Sequence, residues 1–163
     1  MKVRKNAASL STQEWEKFMN AVIGLKHTFA AGSTVSLYDQ FVAIHWGVTN
    51  LTGAQTRDGG HRGPAFLSWH REYLRRFEVA LQFIDPEVTI PYWNWGLGDL
   101  SQTTSLFTDD RIGRMGSGGA SNFAIETGYL ALNANVFNPM GWTVRSDIRQ
   151  SIVTPEGNGL ERN

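Results

Sequence analysis

Three histidines give this sequence its clearest capacity for chemistry. His45, His61 and His70 fall within a stretch of 26 residues. The helix pattern described below places His45 near the end of one helix and His70 on the apolar face of the next, with His61 in the glycine-rich loop between them. If the apolar faces of the two helices meet, the loop can fold His61 over the other two. Three neutral imidazoles in a dry pocket form a site for copper or zinc.

A purely structural role is the alternative for each of these side chains. A single histidine on an apolar helix face is more often a hydrogen-bonded core residue than a metal ligand, and spacing alone does not decide between the two. His27 differs, because it follows the first predicted helix and is favoured there by the helix dipole, so we expect it not to bind metal. The sequence has no cysteine, so a metal here must be held by histidine and carboxylate side chains.

The first two predicted helices are amphipathic. Ser11 and Glu14 have capping-box spacing, and residues 11–26 carry apolar side chains at helical intervals. These are Trp15, Phe18, Val22 and Leu25. A second helix is predicted over residues 36–46. Its expected apolar stripe consists of Leu37, Phe41 and Ile44. Residues 47–63 are rich in Thr, Asn, Gly and Asp and are predicted to form a loop.

The third predicted helix is the longest. Pro64 suits its first turn, and Asp85-Pro86 ends it. One face is expected to be apolar and to point at the core. It consists of Leu67, His70, Leu74, Phe77, Leu81 and Ile84. Residues 88–95 are predicted to be extended, and beyond them glycines punctuate a loop-rich region with one short helix at about 143–152.

Composition is typical of a single globular domain. With 163 residues the chain is long enough to bury a core of its own. Fifteen basic residues balance fifteen acidic ones, so we expect no nucleic acid and no membrane as a partner. No apolar run approaches the roughly 18 residues of a membrane span. The first residues lack the apolar core of a signal peptide, which leaves the cytoplasm, or export together with a partner, as expected locations.

The residues around the histidines resemble one known family. The segments are LYDQFVAIH, GGHRGPAFLSWHREYLRRFE and PYWNW, in that order. They are similar to the copper A half of the tyrosinases, which are type-3 copper proteins. In that family the first histidine ends a helix, the second lies in a G-H-x-x-P-x-F loop, and the third lies in a W-H-R-x-[YF]-L-x-x-F-E helix. The likeness is clear over residues 3–95 and looser over 96–150, and the start VRKNAASLS resembles actinobacterial tyrosinases.

The resemblance implies a mainly α fold, half of the four-helix bundle of type-3 copper proteins, with long irregular loops. Residues 1–163 would form the N-terminal, copper A part of a catalytic domain. The implied copper ligands are His45, His61 and His70. No catalytic residue beyond these ligands is implied. Three further motif positions are expected to pack around the site, namely Pro64, Phe66 and Trp93.

The family's second copper, copper B, is bound by three further histidines, whereas this sequence has no histidine after His70. Activation of O2 in the family requires two Cu(I) ions, each of which supplies one electron. The resemblance therefore implies oxidation of phenols, o-diphenols or o-aminophenols to o-quinones by O2, with copper B supplied by a second polypeptide or a C-terminal fragment. Some bacterial relatives also use a copper-delivering helper protein. Without copper B we expect the chain to be inactive.

Three other interpretations stay open. The chain could be a stand-alone mononuclear copper or zinc protein with three histidine ligands. It could be a homodimer that pairs two copper A faces, or a non-catalytic O2-binding protein similar to haemocyanins.

In a half-bundle we also expect an apolar face to be left open to water. This face carries Leu74, Phe77 and Leu81.

Overall fold

The structure is a computed structural model that describes residues 2–49, 60–61, 63–94, 106–112 and 129. In these residues it has a short 3-10 helix, Ala7–Ser9, and three α-helices: α1 (Thr12–His27), α2 (Leu37–Thr49) and α3 (Phe66–Ile84). β-pairing within the same residues is limited to two isolated bridges. The described part of the chain is therefore mainly α, as predicted. None of its helices is both long and apolar enough to cross a membrane.

The chain divides into two compact units, which are described separately. Unit 1 comprises residues 1–19 and 91–163, and unit 2 comprises residues 20–90. The short helix predicted at 143–152 lies outside the described residues.

Unit 1 is built around a small apolar cluster. Its buried members are Ala7, Trp15, Met19 and Leu106. The guanidinium of Arg111 lies 5.1 Å from the centre of the Trp15 ring and donates to the Ala7 carbonyl at 3.4 Å. Tyr92 pairs in parallel with the N-terminal segment, because its N–H donates to the Lys5 carbonyl at 2.9 Å and its carbonyl accepts from the Ala7 N–H at 2.8 Å. Tyr92 thus forms a β-bridge within residues 88–95, the segment predicted to be extended.

The capping box at the start of α1 is confirmed. The Ser11 N–H donates to Glu14 Oε2 at 3.0 Å, and the Glu14 N–H donates to Ser11 Oγ at 3.2 Å. The Lys5 ammonium, followed by the Ser11 N–H, holds the pKa of the Glu14 carboxyl down at about 2. A negative charge is therefore present at neutral pH in the first turn, where the helix dipole favours it.

The apolar stripe predicted for α1 is also confirmed. Trp15, Val22 and Leu25 are buried and Phe18 is half-buried. Burial of each such side chain contributes roughly 1.5–3 kcal/mol, so this stripe fixes which side of α1 faces inward.

A buried polar cluster in unit 2 joins the end of α1 to the start of α2. The Lys26 ammonium donates to Asp39 Oδ1 at 2.7 Å, and the Ser36 hydroxyl donates to Asp39 Oδ2 at 2.6 Å. Ser36 Oγ also accepts from the Asp39 N–H at 3.1 Å, which caps α2. Burial lowers the pKa of Lys26 to about 8, although the nearby Asp39 opposes that shift. Burial also raises the pKa of Tyr38 to about 12.

The predicted end and apolar stripe of α2 were both partly wrong. The helix continues to Thr49, three residues past the predicted end, because Gly47 and Val48 stay in the helical hydrogen-bond pattern. Ile44 is 53% exposed. The side of α2 that contacts α3 instead carries Tyr38, Phe41 and His45. These three positions are also three and four residues apart, so periodicity alone could not choose between the two faces.

α3 begins two residues later than predicted. Pro64 and Ala65 form a turn in which the Phe66 N–H donates to the Gly63 carbonyl at 3.2 Å. The helix ends at Ile84, as predicted, and the Asp85 N–H closes it by donating to the Leu81 carbonyl at 2.9 Å.

The residues of the apolar face predicted for α3 differ in exposure between the two ends of the helix. At the N-terminal end Leu67 is 77% exposed, and Leu74 is 38% exposed. Towards the C-terminal end Leu81 is completely buried, so the prediction that its face lies open to water was wrong there. The same end of α3 lies against α1, because Ile84 is so close to Gly24 that a Cβ atom at position 24 would be 2.6 Å from its Cγ2.

Candidate metal centre

The three histidines that the sequence singled out meet in unit 2. His45 comes from α2, His70 from the first half of α3, and His61 from the segment before α3. One ligand atom from each imidazole can be chosen so that all three lie within 4.8 Å of one another. The ring centres are 4.7 Å apart for His61 and His70 and 5.0 Å apart for His45 and His61. All three residues are half-buried.

Hydrogen bonding fixes which nitrogen of His70 faces the other imidazoles. Its Nδ1 lies 2.8 Å from the Phe66 carbonyl oxygen, one turn earlier in α3. A carbonyl only accepts, so Nδ1 carries the proton and, in the neutral ring, Nε2 keeps its lone pair. This Nε2 lies 3.1 Å from His61 Nε2. An imidazole with one nitrogen tied to a carbonyl is the usual form of a metal-binding histidine.

The donor set fits one transition-metal ion. Two nitrogens that each lie about 2 Å from the same ion are separated by less than about 4 Å, and the two Nε2 atoms meet this limit at 3.1 Å. Among the residues that the structure describes, the cluster contains imidazoles alone. Neutral imidazole suits copper and zinc, whereas magnesium and calcium require oxygen ligands.

The loop that carries His61 reaches the helices through Gly60. This residue is buried, and a Cβ atom there would lie 2.7 Å from Val48 Cγ1 and 3.6 Å from the Trp69 ring. The absence of a side chain at Gly60 therefore lets the backbone approach α2 and α3 closely. His61 is the next residue, and this close approach brings its imidazole into the cluster.

Aromatic rings surround the imidazoles. Trp69 lies 4.8 Å from the His70 ring and 5.8 Å from the His45 ring, measured between ring centres. Tyr73 stacks on Trp69 at 5.0 Å with an interplanar angle of 14°, and its ring centre is 5.7 Å from that of His45. Burial raises the pKa of Tyr73. The sequence analysis included Trp69 and Tyr73 only as motif positions and did not predict that their rings lie at the site. The two are four residues apart on α3 and therefore share a helix face.

The residues predicted to pack around the site are distributed differently. The Phe66 ring contacts both His70 and His61, with ring centres 4.5 Å and 5.9 Å apart. Pro64 is exposed in the turn before α3. Trp93 belongs to unit 1, where its ring packs edge-on against Phe107 at 5.9 Å. A role for Pro64 or Trp93 at the histidine site stays a prediction.

His27 is not a member of this cluster. It is the last residue of α1 and is exposed, and the one group of potential metal ligands in the described residues contains the other three histidines. Its position at a helix C-terminus agrees with the dipole argument made from the sequence.

Comparison with known proteins assigns this site to a family. Residues 35–157 match the family described as the common central domain of tyrosinase. The tyrosinase of Streptomyces glaucescens is 39% identical over 157 residues, which cover 94% of this chain and 53% of the relative. The tyrosinase of Streptomyces antibioticus is 40% identical over 82% of this chain and 45% of its own length. The grixazone synthase of Streptomyces griseus is 36% identical over 79% of this chain and 40% of its own length.

The chain thus spans about half the length of the curated relatives that it matches. Tyrosinases are copper-binding proteins, and the three clustered imidazoles fit a copper site. The matched region, the identities and the donor set agree, and the chain belongs to the tyrosinase family.

Proposed function

We propose that this chain supplies the copper A site of a tyrosinase-type oxidoreductase, which with O2 oxidises phenols or o-diphenols to o-quinones, or o-aminophenols to o-quinone imines. The observation that carries the proposal is the convergence of His45, His61 and His70, with ligand atoms within 4.8 Å, inside a match to the tyrosinase central domain. Bound copper would supply one of the electrons that O2 takes up.

The protein's own contribution is to hold the imidazoles in a fixed orientation. Phe66 does so for His70 through its backbone carbonyl, which accepts the Nδ1 proton at 2.8 Å. In the metal-free chain the Nε2–H of His61 donates to the lone pair of His70 Nε2 at 3.1 Å, and His61 would bind copper through Nε2 only as the tautomer with its proton on Nδ1. The rings of Phe66, Trp69 and Tyr73 contact the imidazoles and reduce the access of water.

A second copper requires ligands from outside these 163 residues. The sequence has four histidines, of which three form the cluster and the fourth, His27, ends α1. We infer that three further histidines come from another polypeptide or a further segment of protein, and that these complete the binuclear site. A helper protein that delivers copper belongs to the same proposal.

The proposal is tested by turnover with and without a source of copper B. The copper-loaded chain would be mixed with 3,4-dihydroxyphenylalanine, an o-diphenol, and o-quinone formation followed by absorbance. We expect no turnover from the chain alone, and turnover when a polypeptide carrying the C-terminal half of a Streptomyces tyrosinase is added. His61→Ala should abolish the turnover of the mixture, and His27→Ala should preserve it.

Two results would contradict the proposal. Turnover by the chain alone would favour a self-sufficient assembly of two copies. One copper per chain with no turnover in any mixture would favour a mononuclear or non-catalytic copper protein.

A further inference from the structure

A hydrogen bond from α3 reaches the backbone of α2 one turn before the ligand His45. The Tyr73 hydroxyl donates to the carbonyl oxygen of Phe41 at 3.0 Å, across 32 residues of sequence. In an α-helix the carbonyl of residue 41 also accepts the N–H of residue 45. The same oxygen is therefore shared between the hydroxyl of Tyr73 and the backbone of His45.

The Tyr73 ring also lies against the His45 imidazole. Its position is fixed by the near-parallel stack on Trp69 and by an edge-on contact with Phe41, with ring centres 5.8 Å apart. His70 lies three residues before Tyr73 on α3. Tyr73 thus links α3, which carries His70, to the backbone of α2, which carries His45.

We propose that Tyr73 is a positioning residue for the metal site, whose hydroxyl sets the distance and orientation of His45 relative to His70. This inference rests on the proposed function, because it assumes that the histidines bind copper. The family motif admits Phe as well as Tyr at this position, so the ring contacts are shared, and what the hydroxyl adds in this chain is a direct hydrogen bond from α3 to the backbone of α2. A small displacement of one ligand weakens a metal site, and loss of a supporting hydrogen bond typically lowers metal affinity by about 10- to 100-fold.

Tyr73→Phe tests the hydroxyl, because it keeps the ring and removes only the donor. Tyr38→Phe is the matched control. Tyr38 packs edge-on against Phe77 in the same aromatic layer, but lies seven residues before His45, about 10 Å along the helix axis. Both variants lose one tyrosine hydroxyl and keep a ring that packs between α2 and α3.

The measurements are the copper dissociation constant, obtained by competition with a chelator, and the electron paramagnetic resonance spectrum of the Cu(II) form. We expect Tyr73→Phe to bind one copper about 10-fold or more weakly with altered hyperfine splitting, and Tyr38→Phe to match the wild type in both. Replacing Tyr73 by 4-aminophenylalanine, which restores a donor, should restore the wild-type spectrum. This rescue separates positioning from a general loss of folding.

The outcomes distinguish this inference from the proposed function. A wild-type chain that binds no copper would overturn both. A wild-type chain that binds copper, with Tyr73→Phe equal to it in affinity and spectrum, would overturn the positioning role alone. Equal weakening in Tyr73→Phe and Tyr38→Phe would also overturn it, because the effect would then reflect packing in general.

Discussion

At the scale of single residues, Gly60 determines how closely the His61 loop can approach the two helices. Ala at this position would place a methyl group 2.7 Å from Val48 Cγ1. Val48 is β-branched and stiff, so the loop has to move away. Overpacking of this kind costs about 1–3 kcal/mol, and here it would also displace His61.

We therefore expect Gly60→Ala to lower the free energy of unfolding by about 1–3 kcal/mol and to weaken copper binding. Gly47→Ala is the control, because nothing lies within 4 Å of a Cβ atom at that position of α2. It should leave copper binding unchanged and raise helix stability by up to about 1 kcal/mol. Denaturant unfolding and copper titration measure both. Equal behaviour of the two variants would refute the close-approach argument.

At the scale of elements, two helix boundaries that rest on short-range signals were predicted correctly. The Ser11 and Glu14 pair located the start of α1, and Asp85-Pro86 located the end of α3, because each signal is a short-range hydrogen bond or steric constraint. The face of α2 was assigned only partly correctly, because the predicted and the observed stripes share Phe41 and have the same helical spacing. The positions of Trp69 and Tyr73 beside His45 depend on contacts between helices, which single-helix periodicity does not contain.

The capping box of α1 is open to a direct test. Ser11→Ala removes the oxygen that accepts the Glu14 N–H, and we expect it to lower the free energy of unfolding by about 1 kcal/mol. Ser11→Thr keeps a capping hydroxyl and should cost only a few tenths of that. Thermal unfolding of the two variants gives the comparison. If both variants lose the same stability, the side-chain cap does not contribute.

Because Lys26 is buried beside Asp39, we expect the free energy of unfolding to depend on pH. Lys26 is 4% exposed, and its pKa is lowered from 10.5 to about 8 in the folded chain. Between pH 8 and 10.5 the unfolded chain therefore binds more protons at this residue than the folded chain, so the free energy of unfolding gains a contribution that rises with pH. The raised pKa of Tyr38 acts in the opposite direction above about pH 10.

Lys26→Met isolates this contribution, because Tyr38 is present in both chains. The difference in free energy of unfolding, wild type minus Lys26→Met, should increase from pH 8 to 10.5. Denaturant unfolding at a series of pH values measures it. Parallel curves for the two chains would mean that Lys26 keeps its ordinary pKa in the folded state.

At the scale of the whole molecule, the chain carries one complete set of three imidazoles and has the length of about half a relative. The order of the motifs in the sequence was sufficient to predict that these three histidines belong together, because the family spacing connects loop and helix positions that periodicity treats separately. The positions of the aromatic rings around the imidazoles, and the hydrogen bond from Tyr73 to the Phe41 carbonyl, could be identified only from the structure. Binding of copper by this set is the central claim.

Equilibrium dialysis of the purified chain against copper, followed by metal analysis, tests that claim most directly. The account predicts one copper per chain for the wild type and for His27→Ala, and loss of that copper in both His61→Ala and His70→Ala. A wild-type chain without bound copper would contradict it, as would full copper retention in His61→Ala or His70→Ala.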